Sequence, residues 1–508
     1  MAFPAVLRQS TSLVLACAVL LPVPAWAAPS QEELLRLLEK MNARLDQLEK
    51  RNGELEKQIQ AKPAATPLDL RVQSLEEAQA KITRGLESEN ISQYEPELTS
   101  RLKAVEYQSL NTLKAARVIE ALDGVTAGVS LTTVAQRPSG MAAGSPAGTT
   151  NSQLNYRADA FVTLPLPKVG DTESRIFAQF RMGQGTGLNS LAAYSKSNAS
   201  AFSVASAEPD DSVAVLGQAW YQATIPLPIG GFKPDSKETL EINFGKMDPF
   251  VFFDQNAAAN DETKQFLNTV FMHNALLDAG GDIGVDANGF TPGLRVAYSN
   301  YRTKRETWRL SLGVFGAGRG ASYERFFSAP LIIAQAETQL HLFDGVGNYR
   351  AYYWRNGQAP GYDGAASQRS GWGLSADQRL GDAVTVFGRY GQHISGAGAR
   401  FDRAVTVGGE IAGYSWNRGG DAIGVAFGWL HTNNDFSRGS ATVDANGDGI
   451  PDFGYTAGSG EQVAEIYYRY RINRQFELSP DFQYIGKPGG APGAAAIKVF
   501  GLRAQLTF

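Results

Sequence analysis

Apolar and polar residues alternate along this chain from near Gly124 to its last residue. Alternation with a period of two places successive side chains on opposite faces of a β-strand. In the segment 306–318, for example, apolar residues occupy the even positions from Trp308 to Val314, and Arg309 is one of the residues between them. The alternation predicts an all-β fold for this part of the chain.

The alternation divides into sixteen predicted strands, whose connections are alternately long and short. The strands lie at about 124–136, 152–167, 173–185, 212–227, 239–248, 292–300, 306–318, 331–342, 345–357, 371–381, 384–392, 404–413, 422–432, 461–472, 476–486 and 498–508. The long connections are 137–151, 186–211, 249–291 and 433–460, and the tight turns include 343–344, 382–383 and 473–475. Outer-membrane barrels combine short periplasmic turns with longer external loops in this way. We therefore expect an all-β transmembrane barrel of about 16 antiparallel strands over residues 123–508, with both ends of the barrel in the periplasm.

The apolar face of the strands is expected to meet lipid rather than a protein core. A soluble β-sandwich would bury such faces, but the strands approach the roughly 9–11 residues that cross a bilayer and their other face is polar. Aromatic residues cluster toward strand ends, as at Trp220-Tyr221 and Tyr352-Tyr353-Trp354. A bundle of membrane helices is excluded, because the chain contains 54 glycines and its mean hydropathy is -0.23.

Residues 1–27 are expected to form a cleaved signal peptide. Arg8 precedes an apolar run from Leu13 to Val23, and Ala25-Trp26-Ala27 fits a signal-peptidase site. The run is shorter than the roughly 20 residues that a membrane-spanning helix needs. The single cysteine, Cys17, lies in this run, so cleavage leaves no thiol for a disulfide, a nucleophile or a metal site. A lipoprotein signal that ends at Cys17 is the alternative.

A heptad repeat predicts a coiled coil at residues 28–62. Its core residues are spaced alternately by four and three positions: Leu34, Leu38, Met41, Leu45, Leu48, Asn52, Leu55 and Ile59. The seam is narrower than the apolar face of a globular helix, which favours self-association over a single amphipathic helix packed on its own chain. Asn52 would fix the register without choosing between two and three strands, and we expect a homotrimer. A Pro/Ala linker followed by weaker helical patterning, broken at Pro96, predicts a periplasmic stalk or linker at residues 63–122.

The balance of charge argues against nucleic acid as a partner, because 47 basic and 51 acidic side chains give no large field of one sign. The four histidines are scattered without metal spacing, and the chain has no Gly-x-Ser-x-Gly nucleophile elbow. We therefore expect that the protein is not an enzyme. A lipid-hydrolysing barrel is the alternative in that class.

A barrel of sixteen strands is wide enough to leave an aqueous channel, which then needs a filter. At the third long connection the chain reads Gly245-Lys246-Met247-Asp248-Pro249, then FFDQNAAAND from Phe252 to Asp261, then Gln265-Phe266-Leu267-Asn268 and Asn274. These residues resemble the OprB-type carbohydrate-selective porin family. The resemblance implies an outer-membrane porin for facilitated diffusion of carbohydrates and other small hydrophilic solutes, with an inward loop at about 248–291.

The layout of the chain also resembles that of cyanobacterial relatives that carry a periplasmic coiled coil before the barrel, although no peptidoglycan-binding module is recognisable ahead of this coil. Phe508 resembles the terminal aromatic residue that the outer-membrane insertion machinery reads. The expected location is the outer membrane of a Gram-negative-type cell, with lipid around the barrel and the coil in the periplasm. The alternatives are a general or ion-uptake diffusion porin, and a structural tether whose coil links the outer membrane to the periplasm.

Side chains of the inward loop are the expected contacts for solute, because sugars need fixed hydrogen-bonding groups and apolar surfaces. The polar groups are Asp248, Asp254, Asn256, Asn260, Asp261, Gln265 and Asn268, and the apolar ones are Phe253 and Phe266. The alternative is that several of these side chains only tie the loop to itself or cap a short helix at 260–270.

Arginines at inward positions of the strands are expected to form a basic ladder opposite the acidic loop. They are Arg175, Arg181, Arg309, Arg350 and Arg389, with Arg469 and Arg503 as further members. Such a ladder would create a transverse field across the pore. Alternatively, the arginines balance lumenal acids such as Glu410 and Glu465.

One external connection has the spacing of a calcium loop. Asp444, Asn446, Asp448 and Asp452 occupy the first, third, fifth and ninth positions, with Gly449 at the sixth. Tyr455 stands at the twelfth position, where a complete EF-hand has Glu. We expect no required cofactor, with calcium as a possible ligand and a plain Asp/Asn/Gly turn as the alternative.

Overall fold

The computed structural model of the protein describes residues 124–139, 152–204, 211–231, 235–277, 289–303, 306–318, 326–343, 345–396 and 398–508. The predicted signal peptide, coiled coil and stalk lie outside these residues, so they stay predictions.

Sixteen strands form the wall of the protein, and all sixteen correspond to strands predicted from the alternation. They are β1 (Thr126–Ser139), β2 (Gln153–Val169), β3 (Thr172–Gln184), β4 (Val215–Pro226), β5 (Glu238–Met247), β6 (Thr291–Thr303), β7 (Glu306–Phe315), β8 (Leu331–Leu342), β9 (Gly345–Pro360), β10 (Ala366–Leu380), β11 (Val384–Ser395), β12 (Phe401–Ala412), β13 (Ala422–Thr432), β14 (Glu461–Arg471), β15 (Phe476–Gly486) and β16 (Ile497–Thr507). Two short α-helices lie in the described parts of the connections, α1 (Thr269–Met272) and α2 (Asn434–Gly439). No helix of the described ranges is long and apolar enough to cross a bilayer.

The wall is a closed antiparallel barrel in which each strand pairs with its neighbours in sequence. The barrel closes where β1 pairs with β16, in a register that runs from Ser130 opposite Thr507 to Ser139 opposite Lys498. Closure leaves no free strand edge, so the backbone groups that lie at lipid depth find partners within the sheet. The predicted barrel of sixteen antiparallel strands is therefore confirmed.

Strand ends differ from the prediction where pairing continues beyond the alternating segment. β10 begins at Ala366 rather than at 371, because Ala366 pairs with Pro360 at the end of β9. The register shifts between Ser367 and Arg369. A bulge of this kind keeps two strands paired while it puts their side chains out of phase, so periodicity cannot locate the end of the strand.

The two faces of the wall differ in chemistry as the alternation predicts. On β7, Leu310 and Leu312 point outward and are each 50% exposed, whereas Ser311 between them is 6% exposed and points into the barrel. On β16, Phe500 is exposed outward and Arg503 is buried inside. The outward apolar belt meets lipid and the polar inward face surrounds the lumen.

Two connections at the same end of the barrel fold into the lumen. We call residues 185–204, after β3, the crossing loop and residues 248–277, after β5, the inward loop. Buried apolar side chains of both loops pack on the inward face of β11–β16. A second apolar cluster joins the start of the inward loop to β4, β5 and β7–β9. The two clusters hold the inward loop between opposite sides of the wall, so its acidic segment at 260–264 faces β1–β4.

Candidate pore site

Arg389 on β11 fixes the middle of the inward loop. Its guanidinium lies 3.2 Å from the carboxylate of Asp254. It also donates hydrogen bonds to the backbone oxygens of Asp254, Ala259 and Phe271, at 3.1, 2.8 and 2.8 Å. One wall side chain therefore binds three separate parts of the loop.

Asp254 connects the loop to three strands of the wall. Its backbone N–H donates to Gln335 on β8 at 2.9 Å, and its carboxylate accepts from Tyr352 on β9, also at 2.9 Å, and from Arg389 on β11. The φ angle of Asp254 is 53°, in the left-handed region that Asp adopts more readily than most residues. The Asp254 side chain is fully buried and its hydrogen bonds hold the loop in place.

Asn256 and Gln265 also shape the inward loop. Asn256 donates to the backbone oxygen of Ala376 on β10 at 3.1 Å. The Gln265 side chain accepts from the backbone N–H groups of Asn260 and Asp261 at 2.7 and 3.0 Å. Gln265 thus gives two backbone N–H groups of the loop a partner, and Asn256 ties the loop to β10.

Asn268 joins α1 of the inward loop to the far wall. Its side chain accepts from the backbone N–H of Val270 at 3.2 Å, which caps the helix, and it donates to Gln483 on β15 at 3.1 Å. Its backbone N–H donates to the carboxylate of Glu465 on β14 at 2.9 Å. The cap and the two wall contacts fix the end of the loop.

The two predicted loop phenylalanines lie in the apolar clusters between loop and wall. Phe253 packs edge-on against Phe315 of β7, with ring centroids 5.9 Å apart. Phe266 packs against Phe387 and Tyr467, at 5.8 and 5.0 Å. Both phenylalanines are almost fully buried, and they hold the loop against the wall.

An open cavity of about 190 Å³ lies between the inward loop and the wall of β1–β4 and β16. Five of the predicted site residues line it: Arg175, Arg181, Asp248, Asn260 and Asp261. Sequence reasoning missed other lining residues, which include Arg157, Asp159, Phe161, Phe177, Trp220, Glu262, Lys264 and His273. The same alternation that placed arginines inward on β3 also marks Arg157, Asp159 and Phe161 as inward positions of β2, and that signal could have found them.

A chain of ion pairs crosses this cavity from the wall to the loop. Arg157 on β2 lies 2.6 Å from Glu262 of the loop and 2.8 Å from Asp159. Asp159 in turn lies 2.6 Å from Arg181 on β3. Burial alone would raise the pKa of Glu262, but the positive charges of Arg157 and Arg181 hold this pKa below its ordinary value. Glu262 therefore stays charged near neutral pH and ties the loop to the wall.

A strip of three aromatic rings follows the wall of the same cavity. Phe161 on β2 and Phe177 on β3 are stacked with centroids 6.3 Å apart. Phe177 and Trp220 on β4 are stacked at 4.9 Å. Together the three rings give this side of the cavity an apolar surface.

The remaining inward arginines lie away from this cavity. Arg309 and Arg350 form ion pairs within the wall, with Glu241 at 3.5 Å and with Asp377 at 3.2 Å. Each of these positive charges is therefore matched by a lumenal acid on the wall.

Arg469 and Arg503 contact the inward loop, as Arg389 does. Arg503 donates to the backbone oxygen of Gln265 at 2.6 Å. Arg469 pairs with Glu410 at 3.0 Å and donates to the backbone oxygen of Lys264 at 3.4 Å. Three inward arginines thus hold the loop through its carbonyl groups.

Glu461 at the start of β14 holds the crossing loop, a feature that sequence reasoning missed. Its buried carboxylate accepts from the backbone N–H groups of Tyr194 and Ser195 at 2.6 and 2.8 Å, and from Gly489 at 2.7 Å. The loop leaves the wall at β3 and is bound at β14, and its contacts with Gln136 on β1 and Gln483 on β15 hold it against the strands in between.

The predicted calcium loop is an exposed turn built on Asx hydrogen bonds. Asp444 accepts from the backbone N–H groups of Gly447 and Gly449 at 2.7 and 2.8 Å, and Asp452 accepts from Ala445 at 2.7 Å. Over the described ranges, no group of three or more His, Cys, Asp or Glu residues is placed to hold a metal. Calcium binding at this loop stays a prediction.

Comparisons with known proteins give the family of the chain. No curated protein sequence matches it. The high-pH structure of Pseudomonas putida OprB matches with a TM-score of 0.59 at 19% identity, over 75% of this chain and 93% of that chain. This likeness shows that the two proteins share a fold. The outer-membrane channel DcaP of Acinetobacter baumannii has a TM-score of 0.44 at 11% identity, over 76% and 97% of the two chains. The model of the carbohydrate-selective porin, OprB family, matches residues 172–508. This chain therefore belongs to the OprB family of carbohydrate-selective porins and is an outer-membrane porin.

Proposed function

We propose that carbohydrates and other small hydrophilic solutes diffuse through the barrel along the cavity between β1–β4 and the inward loop. The observation that carries this proposal is the aromatic strip, Phe161, Phe177 and Trp220, beside the ion-paired Arg157 and Glu262. A sugar ring combines apolar C–H surface with many hydroxyl groups, so a wall that offers both kinds of contact matches it.

The charges that line the cavity support a neutral solute over an ion. Four basic side chains line it, Arg157, Arg175, Arg181 and Lys264, and four acidic ones, Asp159, Asp248, Asp261 and Glu262. Equal numbers of opposite charges give no field of one sign that would concentrate cations or anions. The alternative function is that of an ion-uptake porin, in which a field of one sign would concentrate the transported ion.

Liposome swelling tests the proposal. We expect faster swelling with mono- and disaccharides than with amino acids of similar size, because only the sugars match the aromatic strip. Equal rates for the two solute classes would make the protein a general diffusion porin instead.

A matched pair of variants on β3 tests the role of the strip. Phe177 points into the lumen, and Phe180 points outward and is 48% exposed. In Phe177→Ala we expect sugar-driven swelling to slow by roughly a factor of three. A change of this size corresponds to the loss of about 0.7 kcal/mol of contact between the sugar and the ring. Phe180→Ala should swell at the wild-type rate. Equal rates in the two variants would remove the strip from the pathway.

We also propose that residues 28–62 join the barrels into a trimer and that residues 63–122 form a periplasmic stalk. The heptad seam of leucines with one Asn supports this assembly. A tether between envelope layers is the alternative role of the coil. Pull-down on peptidoglycan with and without residues 28–122 distinguishes the two roles, since no retention of either form counts against tethering.

A further inference from the structure

Two glutamines lie between the aromatic strip and the ion pairs of the cavity. Gln179 on β3 and Gln218 on β4 both line the cavity, and they are direct partners across the two strands. Trp220, the last ring of the aromatic strip, follows Gln218 by two residues, so the two side chains lie on the same face of β4. Both amides are therefore next to the rings that the proposed function assigns to sugars.

A β-bulge aims Gln218 into the cavity. Gln179 is opposite Gln218, but the next residue of β3 is opposite Leu216, so the register skips Gly217. A Cβ atom at Gly217 would lie 2.7 Å from the ring of Phe290. The glycine thus lets the strand bend beside this ring, and Gln218 is inward and only 5% exposed.

A chain of hydrogen bonds with one direction runs through the two amides. The indole N–H of Trp220 donates to Oε1 of Gln218 at 3.2 Å. Nε2 of Gln218 donates to Oε1 of Gln179 at 2.5 Å, and Nε2 of Gln179 donates to Asp159 at 2.9 Å. An indole can only donate and a carboxylate can only accept, so the two ends of the chain fix the orientation of both amides. We call Gln179 and Gln218 the amide relay.

The amide relay also joins the Trp220 ring to the inward loop. Oε1 of Gln218 accepts a second hydrogen bond, from the backbone N–H of Asp248 at the start of the loop, at 3.3 Å. At the other end of the relay, Asp159 belongs to the chain of ion pairs that reaches Glu262 of the loop. The ring is therefore bound to the same groups that hold the loop across the cavity.

The hydrogen bond to the relay is the directional contact of the Trp220 ring. Phe177 is stacked on the ring at 4.9 Å, and Phe252 of the inward loop packs edge-on against it at 5.6 Å. Ring contacts of this kind tolerate a range of angles, whereas a hydrogen bond fixes the direction of the indole N–H. Because Gln218 accepts this N–H, the ring offers apolar surface to a solute.

We propose that the amide relay determines the specificity of the pore, because it sets the angle at which Trp220 meets the C–H surface of a sugar. This inference rests on the proposed function, and it assigns Gln218 and Gln179 as positioning residues that act through Trp220. Contact between a sugar ring and an aromatic ring depends on the angle between them. Loss of the relay should therefore slow sugars more than amino acids of similar size.

The first measurement follows the Trp220 indole by NMR of the full-length protein in detergent, labelled with nitrogen-15 at tryptophan. The Trp220→Phe variant identifies the signal of this N–H by removing it. We expect the signal to move in Gln218→Met, which lacks the acceptor, and also in Gln179→Met, which lies one hydrogen bond further away. The matched control is Gln392→Met, because Gln392 on β11 accepts from the hydroxyl of Tyr390, also two residues away, at 2.8 Å. This control should leave the signal in place.

Liposome swelling then measures the specificity of the same variants. In Gln218→Met the ratio of sugar to amino-acid swelling rates should fall roughly threefold, within the range of one net hydrogen bond. In the Trp220→Phe background the same substitution should change the ratio by less than about 1.5-fold, because the N–H through which Gln218 acts is absent. Gln392→Met should keep the wild-type ratio. The conductance of every variant in KCl should stay near that of the wild type.

The outcomes separate this inference from the proposed function. If the wild type prefers sugars, an unmoved indole signal or an unchanged swelling ratio in Gln218→Met would overturn the role of the relay. An equal fall of the ratio with and without the Trp220 N–H, or a fall in KCl conductance that matches the loss of sugar flux, would do so too. If the wild type shows no preference for sugars, the proposed function fails, and the role of the relay fails with it even where the indole signal moves.

Discussion

Single buried charges decide where the inward loop lies. The side chains of Arg389 and Asp254 are 1% and 0% exposed. An unpaired charge in such a place is costly, so each of the two groups depends on the other. Because Arg389 belongs to a rigid strand, it determines the position of the loop that carries Asp254.

Replacing Arg389 by Gln should therefore release the loop. We expect the free energy of unfolding in urea to fall by roughly 3 kcal/mol, the usual cost of breaking a buried pair. Single-channel conductance in planar bilayers should become larger and noisier, because the freed loop moves in the lumen. The control Arg309→Gln breaks the ion pair with Glu241 within the wall, and its current should stay quiet. A quiet current from Arg389→Gln would contradict the anchoring role.

Gly391 on β11 allows the loop to approach the wall closely. A Cβ atom at Gly391 would lie 2.3 Å from Oδ1 of Asn274, and one at Gly388 on the same strand would have its nearest neighbour at 3.9 Å. Asn274 is held in place because it donates to the Tyr352 hydroxyl at 2.7 Å. We expect Gly391→Ala to lower the free energy of unfolding by about 1–3 kcal/mol.

The matched variant Gly388→Ala should not lower stability, since its methyl group meets only ordinary contacts. Urea unfolding of the two variants side by side checks this difference. Equal midpoints would show that the loop yields to the extra methyl group.

One carboxylate, that of Asp421, holds the turn between β12 and β13. Asp421 accepts from Arg418 at 2.5 Å, from the Tyr468 hydroxyl and from the backbone N–H of Arg471 at 3.0 Å. Burial raises the pKa of Asp421, but the hydrogen bonds from Arg418 and Tyr468 outweigh it and hold that pKa below 3.8.

A lowered pKa in the folded state means that the Asp421 carboxylate stabilises the protein above its ordinary pKa of 3.8 and that this stability is lost as pH falls further. We expect Asp421→Asn to unfold at a lower temperature than the wild type at pH 7. The gap should be constant down to about pH 4 and should close below it. A gap that stays constant to pH 2 would mean that the charge of Asp421 does not matter.

We also predict that calcium binds to the external connection that contains Asp444, Asn446, Asp448 and Asp452. Calcium would replace the backbone N–H groups as the partner of these oxygens, because its ligands are carboxylate and carbonyl oxygens. Calorimetry should then detect calcium binding by the wild type and none by Asp448→Ala. Unchanged binding in the variant would remove the proposal, and Asp435→Asn in the neighbouring helix α2 serves as the control.

The heptad repeat at residues 28–62 predicts the oligomeric state of the protein. We expect the full-length protein to be a trimer by native mass spectrometry. Leu45→Asp with Leu48→Asp places charges in the seam and should give monomers, whereas Arg44→Asp beside the seam should stay trimeric. Sugar flux should persist in the monomers. Trimers of the seam variant would mean that the barrels associate through another surface.

The barrel could be predicted strand by strand because alternation is a local property of the sequence. The role of a loop residue could not, because it depends on contacts that are distant in sequence. Asp254 and Asp261 look alike in the sequence, yet Asp254 is bound by Arg389, 135 residues away, and Asp261 lines the cavity. The ion pair between Arg157 and Glu262 likewise joins residues 105 apart. The family resemblance identified the inward loop. Only the fold distinguishes the loop residues that bind the wall from those that line the cavity.

The crossing loop also has a consequence for the order of events during folding. It leaves the wall between β3 and β4, yet two of its partners, Glu461 and Gln483, belong to β14 and β15, at separations of 267 and 286 residues from the loop residues that they contact. Contacts between such distant parts of a chain form late and slowly. The crossing loop therefore reaches its final position only after β14 and β15 have joined the wall.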